Sequence, residues 1–565
     1  MKLISFLLRW TKDIRYSRLI ILSTTIGGLV GGVCSLGLLA ILNRGLSRPG
    51  SASKLIIWEY VALCAFTPAV KMASQIPMMR LSRRANVQLR MQLCRQILAA
   101  PLRHLEQVGP HRILASLTDD IPTITGALGL MPNLCLNFAM LIAFLIYLGR
   151  LSSTGLIILI VAIAVGVSVY LLIARRAKYY SKLAREEWDA LLKDYRALTT
   201  GTKELKLHRE RRQAFLSEDL NATSSRLARL RNSEALIFMF ASSWGTVFGS
   251  VLLGLIVFGL PQMGGVDTHV VIAFIFGLLY LMGPVESLIG VVPSFTRMNI
   301  ALNKVQQLGL SLTDHASDDL GPRPAQPNPA WSRLRLNGVT HSYYREAEDR
   351  SFLLGPIDLD IHPGELIFCV GGNGSGKTTL VKLLTGLYAP EAGEIYFDDL
   401  LVTDENRDEY RQHFSVVFSD FFLFESLLGL GTSDLDEKTR KYISQLQLDR
   451  KVQVQNGRLS TIDLSQGQRK RLALLTAFLE DRSIYIFDEW AADQDPMFKN
   501  IFYLNLLPEL KAKGKTIIVI SHDDKYYYLA DRIVKLDSGQ LDFDKIVDSS
   551  FTEELKGHKQ VLNLH

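Results

Sequence analysis

The chain has 565 residues, more than one ordinary core organises, so at least two domains are expected. Its net charge of +7 and 48% apolar share average over unlike halves: apolar runs alternating with arginine-rich segments, then a soluble α/β composition. The five cysteines (Cys34, Cys64, Cys94, Cys135, Cys369) lack C-x-x-C spacing, which argues against a disulfide framework or zinc site. The basic residues flank apolar runs, which points to membrane lipid as partner and not to nucleic acid.

Six spans are predicted, at 19–42, 54–76, 125–148, 155–174, 235–260 and 269–295. Each is close to the ~20 residues that cross ~30 Å of hydrocarbon. The first is too long for a cleaved signal and is expected to remain as an anchor. The connection between spans two and three carries Arg80, Arg83, Arg84, Arg90, Arg95, Arg103 and Arg112, and that between spans four and five is denser still. The loops after spans three and five hold only Arg150 and Asp267 as charges. The positive-inside rule therefore predicts a multi-pass protein with both termini and both long connections in the cytoplasm, opposed weakly by Arg44, Arg48 and Lys54. Apolar residues at helical spacing in "NVQLRMQLCRQILAA" and "EEWDALLKDYRALTT" predict helices that continue beyond the membrane.

Within the spans, Glu286 in "LMGPVESLIG" is an ionisable residue behind Pro284, a candidate to meet a cationic substrate group or to reach for the interface. Ser242, Thr246, Gly249 and Ser250 form a small-polar stripe that suits helix packing or a substrate cavity. Residues 311–333, "SLTDHASDDLGPRPAQPNPAWSR", are polar and proline-rich and read as a linker. The expected division is a helical domain over 1–310, a linker over 311–330, a second domain over 331–550 and a tail over 551–565.

The second domain opens with a buried strand, "GELIFCV", and a glycine loop entering a helix, "GGNGSGKTTLVKLLTGL". Gly371-x-x-x-x-Gly376-Lys377-Thr378 fits the phosphate-loop pattern, in which curled backbone N–H groups and a helix N-terminus hold phosphate oxygens. Lys377 would reach the terminal phosphates and Thr378 a Mg²⁺ ion. "LSQGQRKRLALLTAFLE" offers a second helix N-terminus behind Ser465 and Gly467. "IYIFDEWAADQDP" is a buried strand ending in Asp488 and Glu489, and "GKTIIVISHDD" a further strand ending at His522.

Phosphate loop, signature, paired carboxylates and histidine in this order resemble the ATP-binding cassette (ABC) transporters, and six spans ahead of one cassette resemble an exporter half-transporter. The resemblance implies a six-span α-helical transmembrane domain fused to an α/β P-loop cassette, with ATP and Mg²⁺ as cofactors and a homodimer as the working form. It implies ATP contacts from Gly371, Asn373, Gly374, Ser375, Gly376, Lys377, Thr378 and Thr379, and from Tyr343 (or its neighbour Tyr344) stacking on adenine. Ser465, Gly467 and Gln468 would complete the site of a second copy, with Asp495 at that interface. Asp488 and Thr378 would hold Mg²⁺, Glu489 would orient and deprotonate the attacking water, and His522 would contact the γ-phosphate. Where the family places a glutamine, "FSVVFSDFFLF" has Ser419, a further metal candidate, beside Asp420. The segments 113–120 and 195–202 are the candidate coupling elements.

"VFSDFFLF", "LSQGQRKRLALL", "DEWAADQDP", "ISHDDKYY" and "GTKELKLHRERRQAF" together resemble bacterial cyclic-peptide exporters, with lasso-peptide, lipopeptide and siderophore-precursor exporters as relatives. The expectation is ATP-driven outward movement of a cyclic or modified peptide across the bacterial plasma membrane. With no cysteine-protease segment ahead of the first span, leader-cleaving export is not expected. The alternatives are a lipid or lipid-linked oligosaccharide flippase and an ATP-driven membrane regulator.

Overall fold

The computed structural model describes residues 17–47, 54–259, 261–263, 268–308, 331–345, 350–430 and 434–547, with Ser242, Tyr343 and Tyr344 described by backbone alone. The predicted linker 311–330 and tail 551–565 lie outside these residues. Two compact units result: a helical unit, and a cassette unit that also takes in the segment Ala99–Gln107.

The helical unit is built from α1 (Ser17–Ser47), α2 (Lys54–Ala99), α3 (Ile121–Gly129), α4 (Met131–Leu151), α5 (Ser153–Thr200), α6 (Asn221–Gly254) and α7 (Thr268–Gln307). Six stretches among the described residues are long and apolar enough to cross a membrane: Leu19–Gly45, Lys54–Ala99, Pro110–Leu151, Ser153–Thr200, Arg209–Gly259 and His269–Gln307. With 46 residues in α2 and 48 in α5, these helices reach ~70 Å, over twice the thickness of ~30 Å of hydrocarbon. Both arginine-rich connections are thus helical, as their periodicity predicts.

Ser152 caps α5 by accepting from the Gly155 N–H at 3.1 Å. The helices meet through small residues and isolated polar pairs. A Cβ at Gly32 of α1 would lie 2.8 Å from the Met140 nitrogen of α4, so only glycine permits that approach. Gln75 donates to Asn133 at 2.6 Å, Asn137 to Ser287 at 2.8 Å and Asn43 to the Tyr147 hydroxyl at 3.1 Å.

In the cassette unit the strands are β1 (Leu334–Arg345), β2 (Arg350–Ile361), β3 (Leu366–Val370), β4 (Ala392–Phe397), β5 (Leu400–Leu401) and β6 (Phe414–Val417). The later ones are β7 (Val454–Gln455), β8 (Arg458–Leu459), β9 (Ile484–Asp488), β10 (Thr516–Ile520), β11 (Arg532–Asp537) and β12 (Gln540–Ile546). One sheet runs β2-β1-β4-β5 and is antiparallel; the other runs β12-β11-β3-β10-β9-β6 and is parallel except for β12. β3, β9 and β10 are buried at every position, the reason their sequences read as unbroken apolar runs. Parallel strands with out-of-sequence order gather their C-terminal ends along one crevice, where ligands of such sheets bind. Cys369 in β3 is fully buried and its thiol is pushed up to about 12, an inert core thiol.

Candidate functional site

The chain leaves β3 through the glycine loop and enters α8 (Lys377–Leu384). Gly376 sits at φ 102°, a region that disfavours side chains, and a Cβ there would press on Leu354 at 2.8 Å. Gly371 lies so close to Leu536 that a Cβ would stand 2.2 Å from its carbonyl oxygen. These two constraints curl the loop. Asn373 and Gly374 are exposed at its tip, Thr379 is half-buried, and Ser375 is buried with no partner for its hydroxyl.

Lys377 is 5% exposed; its Nζ donates to the Gly371 and Gly372 carbonyls at 2.9 Å each and stands 3.9 Å from Glu489. Asp488 ends β9 fully buried, and its Oδ2 accepts from Thr378 at 3.1 Å and from Ser419 at 3.4 Å. Burial, opposed by the Thr378 hydrogen bond, pushes the Asp488 carboxyl above its ordinary range. Its Oδ1 is buried without a partner. The orphaned Asp488 Oδ1, on the carboxylate that anchors Thr378, fits a hard divalent cation that takes its remaining ligands from water and phosphate. Serine, though shorter than glutamine, reaches Asp488 directly here.

Glu489 follows Asp488 at φ 48°, and this left-handed turn separates the two carboxylates by role. Its Oε1 lies 3.3 Å from Nε2 of His522, two residues past the end of β10. A half-exposed carboxylate held by a histidine next to a metal-competent aspartate can orient and deprotonate water.

The ABC transporter family model matches residues 354–492, which hold the glycine loop and both carboxylates. The ATP-binding protein SyrD of Pseudomonas syringae pv. syringae is 37% identical over 524 residues, covering 91% of this chain and 92% of SyrD. The chain belongs to the ABC transporters. The ATP-dependent lipid A-core flippase of Alkalilimnicola ehrlichii is 27% identical over 526 residues (88% and 84% covered), and the nisin transport ATP-binding protein NisT of Lactococcus lactis is 35% identical over 222 residues, 36% of each chain. A bacterial Atm1-family ABC exporter with ATP bound, 15% identical, superposes with a TM-score of 0.73 over 97% of this chain and 99% of that one, which shows the exporter fold. The cassette of this ABC exporter binds ATP, and its hydrolysis is coupled to transport.

The signature lies at the start of α9 (Gln466–Glu480). Ser465 caps that helix and Gln468 returns the bond to the Ser465 N–H, at 3.4 and 3.3 Å. Gln466 donates to Asp493 at 3.1 Å, and Lys470, 5% exposed, meets Asp493 at 2.7 Å and the Glu489 carbonyl at 3.2 Å. Gln494 donates to the Gly467 carbonyl at 3.0 Å, an approach that leaves only 3.2 Å between a Cβ at Gly467 and the Asp493 carbonyl. Trp490 is buried against Phe502, ring centroids 4.5 Å apart, and donates to the Lys470 carbonyl at 2.6 Å. The signature helix is therefore bolted to the loop after Glu489. Asp495 caps α10 (Pro496–Ile501) by accepting from the Phe498 N–H at 2.9 Å and pairs with Arg471. Those bonds, the Phe498 one foremost, hold its carboxyl below the ordinary range despite partial burial.

The segments 113–120 and 195–202 belong to the helical unit, whereas the short helix Leu102–Val108 belongs, up to Gln107, to the cassette unit. Arg103 pairs with Glu391 at 2.6 Å and donates to the Ser342 carbonyl at 2.9 Å; Glu106 takes Lys382 at 2.8 Å and the Tyr388 hydroxyl. The breaks at Pro101 and Gly109-Pro110 around "LRHLEQV" were the available signal. In the helical unit, Glu286 and Thr246 line one cavity of about 740 Å³. The side chains of Ser242 and Tyr343 lie outside the described residues.

Proposed function

We propose that this exporter moves a cyclic or otherwise modified peptide outward across the bacterial plasma membrane by alternating access, as a homodimer whose termini and cassettes are cytoplasmic. Lys377 and the backbone from Gly371 to Thr379 hold the ATP phosphates, Tyr343 stacks on adenine, and Ser465, Gly467 and Gln468 of a second copy close over the same nucleotide with Asp495 at the junction. Thr378 and Asp488 hold Mg²⁺, which when bound neutralises charge on the phosphates, and Ser419 steadies Asp488. Glu489, positioned by His522, orients the attacking water and accepts its proton. ATP favours the closed cassette pair, and that differential affinity drives the outward-open state.

The Glu489–His522 pair beside the orphaned Asp488 oxygen carries this reading: it equips the chain for turnover and not only for switching. Peptide as cargo is supported by the cassette's likeness to the nisin transport protein and by the motif set around "DEWAADQDP". Similarity to the lipid A-core flippase favours a second reading, lipid movement, but among the described residues no lysine or arginine lines the membrane cavity to hold an anionic headgroup.

The test uses purified protein in lipid vesicles, comparing ATPase stimulation and uptake of cyclic peptides with those of fluorescent lipids. ATP-dependent peptide uptake that vanishes in Glu489→Gln is expected. Uptake unchanged in that variant would end the hydrolysis-driven mechanism, and lipid movement without peptide uptake would select the flippase.

A further inference from the structure

The cavity lies among α5, α6 and α7, walled by Tyr170, Trp244, Phe248, Leu278 and Met282. At about 740 Å³ it falls within the ~300–1,000 Å³ of small-molecule sites, enough for one arm of a larger solute. Its glycines divide into two kinds. A Cβ at Gly249 would meet the Met282 methyl at 1.9 Å and one at Gly166 would meet Phe248 at 2.4 Å, so these let helices pack. Gly245 and Gly290, also on the lining, would meet nothing within 4 Å, so they leave open volume. The small-residue stripe of α6 thus serves both packing and space.

Glu286 is the one charged side chain on the lining, and it makes no hydrogen bond or ion pair among the described residues. Pro284, two residues earlier, has no N–H and leaves the Tyr280 carbonyl without its helical hydrogen bond. Trp244 donates to the Gly166 carbonyl at 3.4 Å and tilts against Phe248, its centroid 5.9 Å away. A carboxylate in a membrane-spanning helix is costly unless a positive group meets it, and an indole face also attracts cations.

We propose that this cavity binds an amphipathic cation: a bulky apolar arm of the cargo fills the space beside Gly245 and Trp244, and a positive group of the same molecule pairs with Glu286. The inference deepens the peptide-export reading and rests on it for the identity of the carrier molecule. Anionic lipid headgroups are repelled by the same carboxylate.

The test is binding to the full-length protein in zwitterionic lipid discs. The probe is decanoyl-arginine amide brominated on the acyl chain, with the neutral citrulline analogue as its pair. Bromine quenching of Trp244, defined as the signal lost in Trp244→Phe, should saturate with an apparent Kd about tenfold lower for arginine than for citrulline. Glu286→Gln should bring the ratio to one, Glu286→Asp should keep it above one and so separate charge from misfolding, and Gly245→Leu should weaken both probes alike. Equal Kd values in the unmodified protein, a ratio retained in Glu286→Gln, or equal quenching by brominated phosphatidylglycerol would overturn the proposal. If the ratio follows Glu286 while vesicles take up no peptide, the export reading fails and the cavity stands. Peptide uptake without any ratio has the opposite meaning.

Discussion

The two units treat polar groups in opposite ways. The cassette collects them at the ends of β3, β9 and β10 and ties them to one another, so that Lys470 or Asp488 can be almost wholly buried. The helical unit scatters them as single pairs between helices, such as Gln75 with Asn133, and leaves large apolar side chains such as Leu22, Phe66, Phe138 and Val161 facing outward. Lipid is as apolar as those side chains, so their exposure costs nothing there, and packing in that unit rests on shape and a few hydrogen bonds. A buried polar contact consequently means machinery in one unit and helix pairing in the other.

Five changes in the cassette and one among the helices probe that contrast. Glu489→Gln should lower steady-state phosphate release about a thousandfold, ~4 kcal/mol in the barrier, while leaving nucleotide binding measurable by equilibrium dialysis. Trp490→Ala, which empties the space against Phe502 and drops the bond to Lys470, should cost the cassette about 4 kcal/mol in denaturant unfolding. Asp493→Ala should cost about 2 kcal/mol, because the buried Lys470 keeps only the Glu489 carbonyl. Lys470→Met should cost less, since Asp493 is 44% exposed and can be hydrated; equal costs would refute the bolt between signature and loop.

The pH response of the Leu102–Val108 helix comes next. The Ser342 hydroxyl first, and Arg103 after it, hold the Glu391 carboxyl below its ordinary range against the opposing effect of burial. A depressed folded value means that the contribution is present above the ordinary carboxylate range and lost as pH falls through the depressed value. The protection factors of Leu102–Val108, taken relative to intrinsic exchange at each pH, should therefore stay flat from about pH 7 to about pH 5 and fall at lower pH, with an amplitude below ~1 kcal/mol for so exposed a pair. Glu391→Gln should remove the dependence. The smallest effect is expected in the helical unit: Gln75→Leu should cost about 0.6 kcal/mol, by unfolding in mixed detergent. A loss as large as that of Asp493→Ala would erase the distinction between the units.

Much of the candidate site's layout was legible in the sequence because its parts are local. A glycine loop between a strand and a helix has one backbone solution, and carboxylates at the end of an apolar strand must emerge at the edge of the sheet. What escaped notice is pairing over distance. Gln466 and Lys470 stand on one face of α9 at helical spacing, but nothing near them in sequence names Asp493 as their partner. The helix Leu102–Val108 looks like any short charged piece of a long connection; only the side chains of Lys382, Tyr388 and Glu391 make it part of the cassette.

The sequence by itself determined the family, six spans, the order of the nucleotide motifs and the residues at the glycine loop, since hydropathy runs and backbone-restricted glycines act within one or two turns of chain. Tertiary structure decided that Ser419 reaches Asp488, that Trp490 supports the signature helix, and that Glu286 and Thr246 share one cavity. Those meetings depend on how whole elements pack and on which volumes they leave open, quantities that no local spacing of residues encodes.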